Sequence, residues 1–162
     1  DLSPSRLIAP FNVMLSVGDY DVDEHLEARA VVDMELVRLC TKRASAEEKE
    51  RIMTLAVDGR AFHDDPVAFR LLDIEFHRAL YDGAANGLLS TLAQGLYDVG
   101  LDVRRIASTV PGVIEKSVGQ HIEVAEAVLA DDAEGAAQAY RRHLQHVRDT
   151  TVQAMTILKR QT

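Results

Sequence analysis

The chain has 162 residues, a formal charge of −8, 47% apolar and 27% charged side chains. That length and balance fit one globular domain with a substantial core and exclude a disordered chain. The acid excess argues against a direct grip on a nucleic-acid backbone, which takes clustered Lys and Arg. A lone cysteine, Cys40, rules out an internal disulfide and a cysteine-based zinc finger. No apolar run approaches the roughly 20 residues that cross a bilayer. The opening Asp1-Leu2-Ser3-Pro4 carries neither a Met nor a signal-peptide pattern, so the expectation is a piece of a longer cytoplasmic protein.

Abundant Ala and Leu with few aromatics favour helix over strand. Residues 1–20, with Pro4 and Pro10, read as an irregular lead, and 21–160 as the helical domain. Caps and periodicity then place six helices. The first runs from about Asp23 to Lys42, opened by Asp21, Asp23 and Glu24, acids that suit a helix N-terminus. The second opens on the capping box Ser45-Ala46-Glu47-Glu48 and runs to about Asp58, with Gly59 as its stop. A third starts at Asp65-Pro66 and ends near Tyr81-Asp82-Gly83. The fourth spans about Gly87 to Ser108, with Leu88, Leu92, Leu96, Val99, Val103 and Ile106 at helical steps. The fifth covers about Pro111 to Ala130, and the last runs from Asp131 or Asp132 to about Leu158. Short connections imply antiparallel neighbours, hence an all-α, single antiparallel six-helix bundle, with seven helices as the variant count.

Polar side chains interrupt the inward stripes of three of these helices. In the third, Phe69, Leu72, Phe76 and Leu80 form the stripe, and Asp73 and His77 share that face one turn apart. In the fifth, His121 falls on the stripe of Ile114, Val118, Ala125 and Val128. In the sixth, His143 falls among Ala136, Tyr140, Val147 and Thr150. A single inward His is commonly a hydrogen-bonded core residue, and Asp73 with His77 makes an ordinary i,i+4 ion pair. Three inward His with one Asp are harder to satisfy pairwise, and a divalent cation satisfies all four at once. Three neutral imidazoles and one carboxylate leave a dication with net positive charge, which attracts a small carboxylate. Zn is the first expectation, with Ni, Mn and Fe compatible. His146, beside Arg142 and Asp149, reads as solvated, and His25 and His63 read as surface residues.

The first helix carries two apolar stripes, with Arg29 on the second and Asp33 one turn on. Two readings stand side by side: an internal Arg29–Asp33 pair, or a guanidinium fork for a carboxylate ligand. Arg104 and Arg105 can reach an interior from the fourth helix, but spacing does not distinguish them from surface charges.

Glu27-Ala28-Arg29 with Asp33, Asp73-Ile74-Glu75-Phe76-His77, the Ala85-Asn86 turn, Gln120-His121-Ile122 and Arg142-His143-Leu144 occur in an order that resembles the C-terminal effector-binding domain (FCD) of GntR-type transcription regulators, FadR subgroup. The resemblance covers about residues 20 to 155. It implies a bundle of six or seven helices and a divalent metal held at Asp73, His77, His121 and His143. It further implies a small organic acid at or beside the metal, contacted by Arg29. In such regulators a winged helix-turn-helix domain precedes the bundle, and the bundle helps form a homodimer. Gln120 stands where the family often has Glu, and Asp33 where it usually has Glu.

The expected role is therefore a ligand-sensing and dimerisation module, not an enzyme, meeting DNA only through a domain absent from this chain and meeting no membrane. Two rivals remain. A metal-dependent helical-bundle enzyme lacks support, because no His-Glu-x-x-His, Glu-x-x-His or Gly-x-Ser-x-Gly is present. A structural dimerisation module in which the metal only pins three helices predicts metal-dependent stability without saturable ligand binding.

Overall fold

The computed structural model describes residues 21–160; the expected lead over 1–20 lies outside them. Among the described residues there are seven α-helices: α1 Val22–Arg43, α2 Ala46–Asp58, α3 Pro66–Gly83, α4 Gly87–Val99, α5 Leu101–Ala107, α6 Val113–Leu129 and α7 Ala133–Lys159. Local chemistry explains most boundaries. The Asp21 carboxylate accepts from Glu24 N at 2.9 Å to open α1, and the Ser45–Glu48 capping box forms in both directions at α2. Asp65 caps α3 with Pro66 in its first turn, and Asn86 caps α4. Gly59 does not stop the chain abruptly; Gly59–Phe62 continues from α2 as one 3₁₀ turn.

The expected fourth helix is the one that differs, because the chain breaks at Gly100 into α4 and α5. The cause is a long-range contact. His25 Nε2 of α1 donates to the Leu96 carbonyl at 2.6 Å, the acceptor that a continuous helix gives to the Gly100 amide. Gly100 N–H turns instead to the Tyr97 carbonyl at 3.1 Å, tightening the last turn and redirecting the axis. A side chain at Gly100 would meet His25 Cε1 at 3.4 Å. His25 is thus 9% exposed and not a surface residue; its imidazole was misplaced because the carbonyl it serves lies 71 residues away.

Three pairs show that α1 and α7 run antiparallel: Arg38 with Glu134, Arg29 with Tyr140, and Asp23 with Arg148. Helices α6 and α7 are also antiparallel, with Gln120 beside His143 and Glu123 beside Arg142. α3 meets α4 through Asp73–Tyr97 and Tyr81–Ser90. These helices enclose a core of Leu36, Val37, Ile52, Phe76, Leu80, Tyr81, Val124, Val128 and Tyr140. Non-directional burial of these side chains supplies the main stabilisation, and it draws the polar faces of α3, α6 and α7 together. No helix among the described residues is long and apolar enough to cross a membrane.

Candidate metal centre

The polar residues on the inward stripes meet. Ring centroids of His77 and His121 lie 5.4 Å apart, His121 and His143 4.7 Å, and His77 and His143 5.8 Å. One nitrogen from each of these three buried rings falls within 4.8 Å of the others. Asp73 Oδ1 stands 3.5 Å from His77 Nε2 and 3.3 Å from His121 Nε2. Four ligands around a tetrahedral metal with bonds near 2.1 Å have edges of about 3.4 Å.

The surrounding hydrogen bonds set which nitrogen of each ring faces this point. Tyr140 donates its one hydroxyl proton to Asp33 Oδ2 at 2.7 Å, so its oxygen accepts from His77 Nδ1–H at 3.1 Å. His77 therefore presents the Nε2 lone pair to Asp73. Gln120 Oε1 accepts from His143 Nδ1–H at 2.8 Å, again leaving Nε2 as the basic atom. Tyr97 donates to Asp73 Oδ2 and turns Oδ1 toward the imidazoles. Such partners fix tautomer and orientation for a metal ligand. His121 Nε2 is buried with no hydrogen-bond partner, although it sits beside a carboxylate oxygen. A buried ring nitrogen beside a carboxylate oxygen with no hydrogen bond between them is an unmet polar contact, and a cation shared by both meets it. The donor set of three nitrogens and one oxygen fits a divalent ion of the zinc kind.

Burial pushes the His121 ring down to about 3, with Asp73 working in the opposite sense and His77 adding to the depression. Burial likewise holds His143 well below the ordinary histidine range. At Asp73 burial works upward, but His77, His121 and the Tyr97 hydroxyl outweigh it and leave the carboxyl well below its usual value. The His121 and His143 rings are thus held toward the neutral form and the Asp73 carboxyl toward the ionised one, the forms a metal takes. A sign follows for stability. His121 is neutral when folded and protonates near 6.5 when unfolded, so its contribution is complete above pH 6.5 and is lost as pH falls below it. At pH 5 the metal-free fold is expected to be about 2 kcal/mol less stable from this ring alone. Urea midpoints at pH 7.5 and 5.0 read this directly; an unchanged midpoint contradicts it. Asp73 adds its own loss only below about pH 3.8.

Arg29 forms the internal pair with Asp33. It is 3% exposed, and Nη2 and Nε reach Asp33 Oδ2 at 3.1 and 3.3 Å. Nη2 also donates to Tyr140 Oη at 3.2 Å, and the guanidinium lies 5.4 Å over the Tyr97 ring. Asp33 Oδ2 accepts from Tyr81 as well, at 3.1 Å. Arg29 and Asp33 are therefore linked to His77 through the Tyr140 hydroxyl.

Spacing alone missed several participants. Tyr97 and Tyr140 read as ordinary amphipathic side chains until their partners on other helices are known. Arg104 of α5 is half-buried, donates to Thr150 Oγ1 at 2.6 Å, and lowers the proton affinity of His121 and His143 through its charge. His146 is 7% exposed, not solvated, because the α7 face beside the histidine stripe is covered by α6. His63 is exposed as expected.

Comparison with known proteins bears on this architecture. The FCD domain model matches residues 24–146. The Escherichia coli (strain K12) "Putative L-lactate dehydrogenase operon regulatory protein" is 29% identical over 153 residues, covering 91% of this chain and 58% of the relative. An uncharacterized HTH-type transcriptional regulator of Bacillus subtilis (strain 168) is 26% identical over 147 residues, covering 90% of this chain and 61% of the relative. A solved metal-free FCD domain has the same fold, with a TM-score of 0.69 at 21% identity over 86% of this chain and 99% of that one. The chain thus spans about three-fifths of the length of these curated relatives, which are named as regulators and not as enzymes. With a family match running from the first turn of α1 to the middle of α7 over an all-helical bundle, the chain belongs to the FCD domain family.

Proposed function

We propose that this FCD domain is the sensing module of a cytoplasmic transcription regulator, binding one divalent metal through Asp73, His77, His121 and His143 and a small organic acid beside it. The observation that carries the reading is the convergence of one nitrogen from each of three buried imidazoles, with Asp73 Oδ1 3.5 and 3.3 Å from two of them and His121 Nε2 without a hydrogen-bond partner. Zn suits the nitrogen-rich set best, and Ni, Mn and Fe are the alternatives. When bound, the metal supplies positive charge and open coordination positions for a carboxylate. Arg29 adds a cation on the far side of Tyr140; because Asp33 already neutralises it, its ligand contact is a secondary one.

In this reading the chain pairs as a homodimer and meets DNA only through a winged helix-turn-helix domain outside this chain, with residues 1–20 as the link. The acid acts by its differential affinity for two arrangements of the helices, and by nothing else. A metal-pinned structural module is the second reading, favoured by the internal commitment of Arg29 to Asp33. Plasma mass spectrometry on unchelated protein is expected to find near one metal per chain, and thermal-shift screening of carboxylic acids a saturable rise. Metal without any acid response supports the structural module. Refusal of metal after reloading removes the metal sensor altogether.

A further inference from the structure

The side chains that orient the candidate ligands share one property: none carries charge. Tyr97 gives its hydroxyl proton to Asp73 Oδ2, the Tyr140 oxygen accepts from His77, and Gln120 Oε1 accepts from His143 Nδ1–H at 2.8 Å. Among the described residues, Asp73 is the one carboxylate paired with a ring nitrogen of His77, His121 or His143, at 3.5 and 3.3 Å from the first two. Asp33 lies one step further out, behind the Tyr140 hydroxyl, and Arg29 answers its charge. Glu123, one turn along α6 from Gln120, faces Arg142 instead. His143 is 2% exposed and Gln120 half-buried, so the amide is the partner that holds this ring.

We propose that Gln120 is a positioning residue that makes the cation exchangeable: its amide fixes the His143 ring without adding charge, so the chain loads and unloads metal rather than keeping it as a permanent pin. The inference rests on the metal-sensor reading given above and names how that site is regulated, by the supply of free metal. A carboxylate in the same place would accept a charge-assisted bond, roughly twice as strong as a neutral one. It would also make the imidazole a more basic ligand. A third effect is electrostatic: three neutral imidazoles and one carboxylate leave a dication with net positive charge, which a second carboxylate would cancel and so hold the ion longer. The amide supplies the orientation and withholds the retention. Exchange is what a sensing module needs and what a structural pin lacks.

The test uses zinc ion as the probe on wild type, Gln120→Glu and Gln120→Ala, each checked for a folded metal-free state by circular dichroism. Competition against a chromophoric chelator is expected to give a Kd at least about tenfold tighter in Gln120→Glu and at least about tenfold weaker in Gln120→Ala, the usual worth of a group that orients a ligand. Release into excess chelator is expected to be at least about tenfold slower from Gln120→Glu than from wild type, since affinity differences within one site lie mostly in the off-rate. A shift in both directions separates positioning from mere packing, because a disturbed fold only weakens binding. Gln120→Glu keeps the shape of the wild-type side chain, so it remains decisive where Gln120→Ala unfolds. Wild type that binds one zinc ion with a Kd and release rate matched by Gln120→Glu, or an unchanged Kd in Gln120→Ala, overturns this inference alone. Wild type that takes no zinc after reloading overturns the sensor reading and this inference with it.

Discussion

Substituting His121 with Leu is expected to abolish the response to metal while leaving the metal-free protein at least as stable as wild type near pH 7. In the metal-free fold His121 Nε2 is a buried polar atom without a hydrogen-bond partner, 3.3 Å from Asp73 Oδ1, and such a group costs about 1–3 kcal/mol. Leu fills much of the same space against Phe76, whose ring stacks on His121 at 4.2 Å, and removes the unpaired atom. With free metal at about 1,000 times its Kd, wild type gains about 4 kcal/mol, which raises the thermal midpoint by about 8–16 °C for a chain of this size. The variant gains little. Melting curves of both proteins, chelated and metal-saturated, give all four values. A metal-free variant that is markedly less stable than wild type means that His121 is a packed core residue and that the converging lone pairs have another explanation.

Asp33→Ala is expected to be the most damaging single change away from the proposed metal ligands. Asp33 is fully buried, and its Oδ2 accepts from Arg29, Tyr81 and Tyr140. Removing it leaves a buried guanidinium without its counter-charge, a loss of about 3–5 kcal/mol. Asp33→Asn keeps the shape but not the charge and falls between. A second consequence separates the two proteins further. Without Asp33, the Tyr140 hydroxyl is free to donate to His77 Nδ1, which moves the imidazole proton to Nε2, the atom that faces Asp73. Metal affinity of Asp33→Asn is then expected to drop about 10–100-fold, the usual cost of losing a partner that orients a ligand. Urea unfolding with an unchanged slope reports the first effect, and metal titration of the folded Asn variant the second. A stability loss below about 1 kcal/mol, with unaltered metal affinity, shows that the Arg29–Asp33 pair is neither structural nor coupled to the site.

Much of the bundle is legible in the order of the residues. Ser45 and Glu48, Asp65 with Pro66, and the acids opening α1 encode helix starts within a few residues of themselves, and the structure realises each. The placement of Asp73, His77, His121 and His143 on inward stripes also follows from period 3.6, because which face of a helix is apolar is a local property. Their convergence is not local. It depends on α3, α6 and α7 burying those faces against one another, and a stripe alone does not say which helix it will meet.

Tertiary structure decided the remainder. It broke the expected helix over residues 87–108 at Gly100, since the His25 imidazole that takes the Leu96 carbonyl comes from another helix. It paired Arg29 with Asp33 inside the bundle, where Tyr140 and Tyr81 arrive from α7 and α3 to complete the Asp33 network. It buried His25 and His146 through neighbours that no spacing rule identifies. It also assigned the protons of His77 and His143, whose partners Tyr140 and Gln120 lie on facing helices. Sequence by itself determined helix class, caps and the face each polar residue occupies, as these rest on interactions within one or two turns. Partner, protonation and orientation rest on contacts between helices, and only the packed bundle supplies those.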